Sequence, residues 1–139
     1  MNSGFKTELL RVLKLFHLRT TNAKGLVLTG GTAVYSFLEN EGFDVEYGEG
    51  SLPEYAFIYI PNAKVTKESV AKTLTKTEKC GIIVFSQKNS KLLWFIPEME
   101  FYATFPYGDR EVVYIQKKGR EEWKADSSST NITGVWFGR

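Results

Sequence analysis

Three groups of residues in this chain have types and spacings that could do chemistry. The first is acidic. Asp44 and Glu46 alternate in Phe43-Asp-Val-Glu-Tyr47, Glu54 follows a glycine-rich turn, and Lys64 comes shortly after. If Phe43–Tyr47 is a strand, the two carboxylates share one face, because successive side chains point to opposite sides. Joined by Glu54, they would bind a hard divalent cation, Mg2+ or Mn2+, that activates water at a phosphodiester while the lysine steadies the developing charge. The same alternation is also the ordinary pattern of a strand with one solvent face. The second group is Gly30-Gly31 in Leu28-Thr-Gly-Gly-Thr-Ala33. Glycine permits close backbone approach, and a following helix N-terminus favours phosphate; the plainer reading is a strand-to-helix turn. The third group interleaves cations with aromatics: Lys88, Lys91 and Trp94, then Lys117, Lys118 and Arg120. Such residues contact phosphates and stack on bases, or else form a solvated loop around a packed tryptophan.

Composition bounds these readings. A chain of 139 residues, 42% hydrophobic and 14% aromatic, can bury one core without metals or disulfides. The formal net charge of +2 excludes a global basic field, so any nucleic-acid surface must be local. One cysteine (Cys80) and one histidine (His17) exclude an intramolecular disulfide and a four-ligand structural zinc site. No apolar run approaches the roughly 20 residues of a membrane span, and the first residues lack the pattern of a signal peptide. The expectation is a single intracellular domain over residues 1–139, cytoplasmic or nuclear, with residues 126–139 as a mobile tail.

The elements that must position these groups follow from periodicity. Ser3 can cap a helix in which Phe5, Leu9, Val12, Leu13 and Phe16 recur at helical spacing. Leu26–Leu28 is a strand or the lead-in to a helix. Ala33, Val34, Phe37 and Leu38 make the stripe of a second helix closed by Gly42. Phe43–Tyr47 alternates as a strand, and Tyr55–Ile60, apolar on both faces, reads as a central one. Thr66 can cap a third helix reaching about Lys79. Ile82–Phe85 with Leu92–Ile96, and Phe101–Phe105 with Glu111–Gln116, read as two hairpins. The class is α/β, mixed α+β: a helix, an αββαβ core and an additional C-terminal β-hairpin.

On these elements the stretch from Gly31 to Met99 resembles the archaeal Holliday-junction resolvases of the restriction-endonuclease-like superfamily. The matching pieces are Gly31-Thr-Ala-Val34 opening a helix, Glu41-Gly42-Phe43 closing it, Leu52-Pro53-Glu54 entering a strand and Trp94-Phe-Ile-Pro97 closing another. The chain departs from that pattern at Tyr35, where the family has a glutamate, at Glu54 in place of an aspartate, and at Asn62-Ala63-Lys64, where an amide replaces the carboxylate of Glu-x-Lys. The stretch is also similar to the C-terminal domain of tRNA-splicing endonuclease subunits, through Val34-Tyr35 with Leu38, Gly42-Phe43 with Val45, and the elements that follow. His17 lies outside the region where that family's catalytic histidine falls, which implies a non-catalytic subunit. Gly30-Gly31 followed by Asp44-Val45-Glu46 resembles a nucleotidyltransferase signature, with the glycines under the nucleotide and the acids on Mg2+.

These resemblances imply a nuclease-like domain that binds structured DNA or RNA, with metal-dependent cleavage weak or lost. Asp44, Glu46, Glu54 and Lys64 would be catalytic, the three acids would hold the metal, and Lys88, Lys91, Trp94, Lys117, Lys118 and Arg120 would hold nucleic acid. The alternatives are nucleotidyl transfer at Gly30 and Gly31, or a non-catalytic interaction subunit. A homodimer or a place in a larger complex would suit a junction-binding role, and no membrane contact is expected.

Overall fold

The computed structural model describes residues 1–16, 24–88, 97 and 99–119. Helix α1 (Ser3–Phe16) leads into strand β1 (Gly25–Val27), helix α2 (Thr32–Asn40), strands β2 (Val45–Tyr47) and β3 (Tyr55–Tyr59), helix α3 (Lys67–Leu74) and strands β4 (Thr77–Lys88), β5 (Met99–Tyr107) and β6 (Arg110–Lys117). The strands form one sheet in the order β2-β1-β3-β4-β6-β5. Neighbours among β2, β1, β3 and β4 run parallel, while β6 lies antiparallel between β4 and β5. The expected mixed α/β class is what the chain adopts.

The period-two alternation of the central strands decides which helix covers which face. On β4, Ile82 and Val84 join Phe5, Leu9, Val34 and Leu38 in the core beneath α1 and α2. Their neighbours Ile83 and Phe85 join Val70 and Leu74 beneath α3. Tyr55–Tyr59 is buried at every position, because β3 has strands on both edges and helices on both faces. Fully burying one such aliphatic side chain contributes about 1.5–3 kcal/mol, so this double-sided core dominates stability.

Local chemistry sets the ends of the helices. Asn2, not Ser3, caps α1: its Oδ1 accepts from the N–H of Gly4 at 2.7 Å and of Phe5 at 3.1 Å. Thr66 caps α3 as expected, in a reciprocal box with Ser69. That helix stops at Leu74 and not near Lys79, because Thr77 already belongs to β4. The apolar run resolves as strand Gly25–Val27 next to the sheet's centre, with Leu26 and Val27 fully buried and Leu28 just past its end. Residues 92–96, expected to pair with Ile82–Phe85, lie outside the described residues; the antiparallel neighbour observed for that segment is β6, with β3 parallel on its other side. Residues 126–139 also lie outside them. No described helix is long and apolar enough to cross a membrane.

Candidate functional site at the carboxyl edge of the sheet

From β1 the chain moves outward to β2 and then returns past β1 to β3, so strand order reverses between β1 and β3. In open α/β sheets the crevice outside the carboxyl ends of the strands at such a point is where ligands bind. The register sets Val27, Tyr47, Tyr59 and Val84 level with one another near that edge.

The turn after β1 carries Gly30 at φ 107°, which an L side chain rarely adopts. Gly31 is required by packing: a Cβ there would lie 2.8 Å from Val27 Cγ1. The Gly30 N–H donates to Tyr47 Oη at 2.9 Å, and Thr32 Oγ1 lies 3.4 Å from the same oxygen. These contacts, the Thr32 hydroxyl first and the Gly30 amide next, draw the Tyr47 phenol below its usual value, helped by the charge of Lys64. The Tyr35 ring lies 5.6 Å from the Tyr47 ring.

Among the described residues two clefts open on this edge, on either side of the segment Pro61–Lys64. The first, about 380 Å³, lies on the α3 side between the β1 and β2 ends and is lined by Thr29, Gly48, Glu49, Lys64, Lys72 and Lys76, among others. Lys76 Nζ donates to the Glu49 carbonyl at 3.1 Å, and Glu49, exposed after β2, is part of the cleft lining. The second cleft, about 280 Å³, lies on the α1 side and is lined by Phe5, Tyr59, Asn62, Ser86, Tyr107 and Arg110, among others. Phe5 meets Tyr59 and Tyr107 edge-on at 6.1 and 5.9 Å, so the start of α1 roofs this cleft. Burial pushes the Tyr59 phenol up to about 12.

The acidic group of the sequence reading is placed otherwise. Asp44 and Glu46 do share a face, but both turn to Lys24, at 3.3 and 3.5 Å. Glu46 Oε1 accepts from Tyr55 Oη at 2.8 Å and from the Ser51 N–H at 2.9 Å. The Tyr55 hydroxyl, then the Ser51 amide, hold the Glu46 carboxyl at about 2, well under its usual 4.5. It is a carboxylate that fastens a loop. Glu54 precedes β3 and Lys64 follows it, so a five-residue strand separates them, roughly 17 Å. Among the described residues no group of three or more His, Cys, Asp or Glu could hold a metal ion. The Mg2+ or Mn2+ expectation is therefore corrected.

The nucleotidyltransferase signature also comes apart. Tyr47 is the β2 residue that reaches the Gly30 turn, and Asp44 and Glu46 point to the opposite face by alternation. Of the cations named for nucleic acid, Lys88 ends β4 at the carboxyl edge, whereas Lys117 ends the antiparallel β6 at the other edge and donates to the Thr77 carbonyl at 2.8 Å. Lys118 is exposed beyond it. Lys91, Trp94, Arg120 and His17 lie outside the described residues.

Comparison with known proteins decides against the nuclease readings. No family model matches the chain, and no curated protein does. Among solved structures it is similar to phosphoethanolamine N-methyltransferase 2 of Haemonchus contortus in complex with S-adenosyl-L-methionine, with TM-score 0.57 and 12% identity, over 85% of this chain and 38% of that one. The same enzyme with phosphomonomethylethanolamine and S-adenosylhomocysteine gives TM-score 0.56. The Escherichia coli protein yhhF, assigned as a methyltransferase, gives TM-score 0.59 at 7% identity over 86% of this chain and 88% of that one. The chain thus spans well under half the length of the Haemonchus enzyme and most of the length of the bacterial protein. What it shares with them is a fold. The restriction-endonuclease-like and splicing-endonuclease resemblances are overturned, and with them the cleavage reading; neither the nucleotidyltransferase nor the interaction-subunit alternative gains support.

The residues that matter at this edge, Tyr47, Glu49, Ser86, Tyr107 and Arg110, were passed over in the sequence as strand or turn residues. One of them carried a signal. Glu49 stands about twenty residues after the glycine turn, the offset at which nucleotide-binding α/β folds place the carboxylate that meets a ribose.

Proposed function

We propose that the chain is an S-adenosylmethionine-binding domain of the methyltransferase type, with the cofactor over the Gly30–Gly31 turn and the first cleft, and the acceptor in the second. The observation that carries this reading is that the glycine turn after β1, Glu49 after β2 and Asn62 after β3 all follow the carboxyl ends of parallel strands at the point where strand order reverses. The likeness to methyltransferase structures supports it through the fold.

The donor set fits such a ligand. Thr29 and Gly30 are exposed, and a Cβ at Gly30 would meet only Pro61 and Lys64, at 3.6 Å or more, so a ligand can approach the backbone. Glu49 would accept from the ribose hydroxyls, and Lys64, which overhangs the glycine turn, would meet the cofactor's carboxylate. Bound there, S-adenosylmethionine supplies an activated methyl group for a nucleophilic atom. The chain's own part is positional. Asn62, between the clefts, offers an amide to orient an acceptor, and Tyr59, protonated up to about 12, serves as a hydrogen-bond donor and not as a base.

Calorimetric titration with S-adenosylmethionine and S-adenosylhomocysteine tests the reading. Both bind, and Glu49→Ala weakens them at least about tenfold, or 1.4 kcal/mol, without lowering the melting temperature. Absence of heat with both, or tighter binding of ATP, would overturn it. Methyl transfer is then assayed on small anionic acceptors, structured RNA and DNA.

A further inference from the structure

The second cleft contains a cation held by neutral groups. Arg110 opens β6 just after the turn at Gly108 and is half-buried. Its Nε donates to Ser86 Oγ at 3.2 Å. With the Asn62 amide nitrogen donating to the Ser86 carbonyl at 2.6 Å, the Asn62 oxygen accepts from Arg110 Nη2 at 2.9 Å. Ser86 Oγ is in turn hydrogen-bonded to the Tyr107 hydroxyl. The Asn62 amide and the Ser86 hydroxyl orient the guanidinium, and neither neutralises it. The ion pairs among the described residues join Arg11 to Glu8 and Lys24 to Asp44 and Glu46; none involves Arg110. Among the described residues that line the cleft Asp109 is the one carboxylate, and it sits exposed on the turn.

A guanidinium has five N–H donors, and the two bonds above use two of them. A partly desolvated cation fixed by its neighbours, with donors left over and a cavity in front of it, is complementary to a planar or tetrahedral oxyanion. Glutamine would serve equally well if the only task were to tie β4 to β6.

We infer that the second cleft recognises a small molecule through a carboxylate or phosphate group bound by Arg110, with Ser86 and Asn62 fixing the guanidinium. The anion site stands on this geometry; calling the molecule the methyl acceptor rests on the proposed function. The cleft, about 280 Å³, is of a size that suits a compact molecule.

The test is an NMR titration of the full 15N-labelled chain with inorganic phosphate and with acetate, at constant ionic strength set with chloride. The expected result is a saturable shift of the Arg110 Nε–H signal and the Ser86 amide, with affinity at least tenfold weaker in Arg110→Gln. Arg110→Lys keeps the charge without the planar fork, and is weakened several-fold. Unchanged affinity in Arg110→Gln would overturn the inference. So would shifts confined to Lys64, Lys72 and Lys76, or stronger shifts of the Arg110 signal with a single-stranded oligonucleotide. If Arg110→Gln fails to fold, the site of the shifts in the wild-type chain decides. S-adenosylmethionine titrated into the same sample separates the two readings: anion binding without cofactor binding sinks the proposed function alone, and cofactor binding without anion binding sinks this inference alone.

Discussion

Replacing Tyr55 by Phe should cost more stability than its size suggests. The side chain is fully buried, and its hydroxyl donates to Glu46 Oε1 at 2.8 Å while accepting from the N–H groups of Ser51 at 2.8 Å and Leu52 at 3.0 Å. Phenylalanine keeps the ring and its packing, so the change isolates the oxygen. A hydrogen bond to a charged group contributes about 1.5–3 kcal/mol and a neutral one about 1 kcal/mol. Ser51 N–H retains Glu46 as an acceptor at 2.9 Å, so the Leu52 N–H is the amide left seeking water. The expected loss is about 2–3 kcal/mol, or roughly 6–10 °C in melting temperature for a chain of this size. Urea unfolding followed by circular dichroism measures it, with the slope of free energy against urea unchanged. A loss below about 0.5 kcal/mol would refute the reasoning, because the hydroxyl would then be no better placed in the fold than in water. Residues 48–54 should also loosen, and since Glu49 lies among them, affinity for S-adenosylmethionine should fall in the same variant.

Gly25 packs against Phe57 so closely that an added Cβ would run into the ring. Gly25→Ala should cost about 1–3 kcal/mol by displacing Phe57 from its edge-on contact with Phe43, which the same urea experiment reads and which near-ultraviolet dichroism should register. Acid titration gives an independent check on Glu46. Its carboxyl is a stronger acid folded, at about 2, than at its ordinary 4.5, so its stabilising contribution is full above about pH 4.5 and disappears as pH falls toward 2. Glu46→Gln should flatten the dependence of stability on pH across that window; an unaltered slope would assign it to other carboxylates.

Much of the architecture could be read from residue pattern. Tyr55–Tyr59, apolar on both faces, announced a central strand, and the Val34 and Leu38 stripe announced the helix that covers it. The order of strands could not be read, because β1 has only three residues and periodicity cannot tell so short a run from a turn. The strand-to-helix turn at Gly30-Gly31 was legible, but without the order of the strands it marks no switch point, and the alternating carboxylates after it read as a metal site. The alternation of Asp44 and Glu46 was correct as local geometry, but their partners, Lys24, Ser51 and Tyr55, come together only when the loop after β2 folds back. Arg110 left no trace in the sequence, since its neighbours Asn62 and Ser86 belong to other elements.

The passage from β2 to β3 has a mechanical consequence. Tyr47 and Tyr59 are both level with Val27, so the chain must travel back the length of β3 and across two strand spacings between Tyr47 and Tyr55. That diagonal is roughly 16 Å at 3.3 Å per residue and 4.8 Å per strand. Residues 48–54 provide eight Cα steps, roughly 27 Å fully extended, and must also arch over Leu26 and Tyr55. Removing three residues would leave a tether of roughly 17 Å, taut and unable to clear those side chains. Lengthening it is cheap by comparison, since doubling a loop adds only about 0.6 kcal/mol of closure entropy. The flank is therefore tolerant of added length and intolerant of deletion, and the point at which a further segment could be grafted lies after Leu52, where the bonds of the Ser51 and Leu52 amides to Tyr55 and Glu46 stay in place.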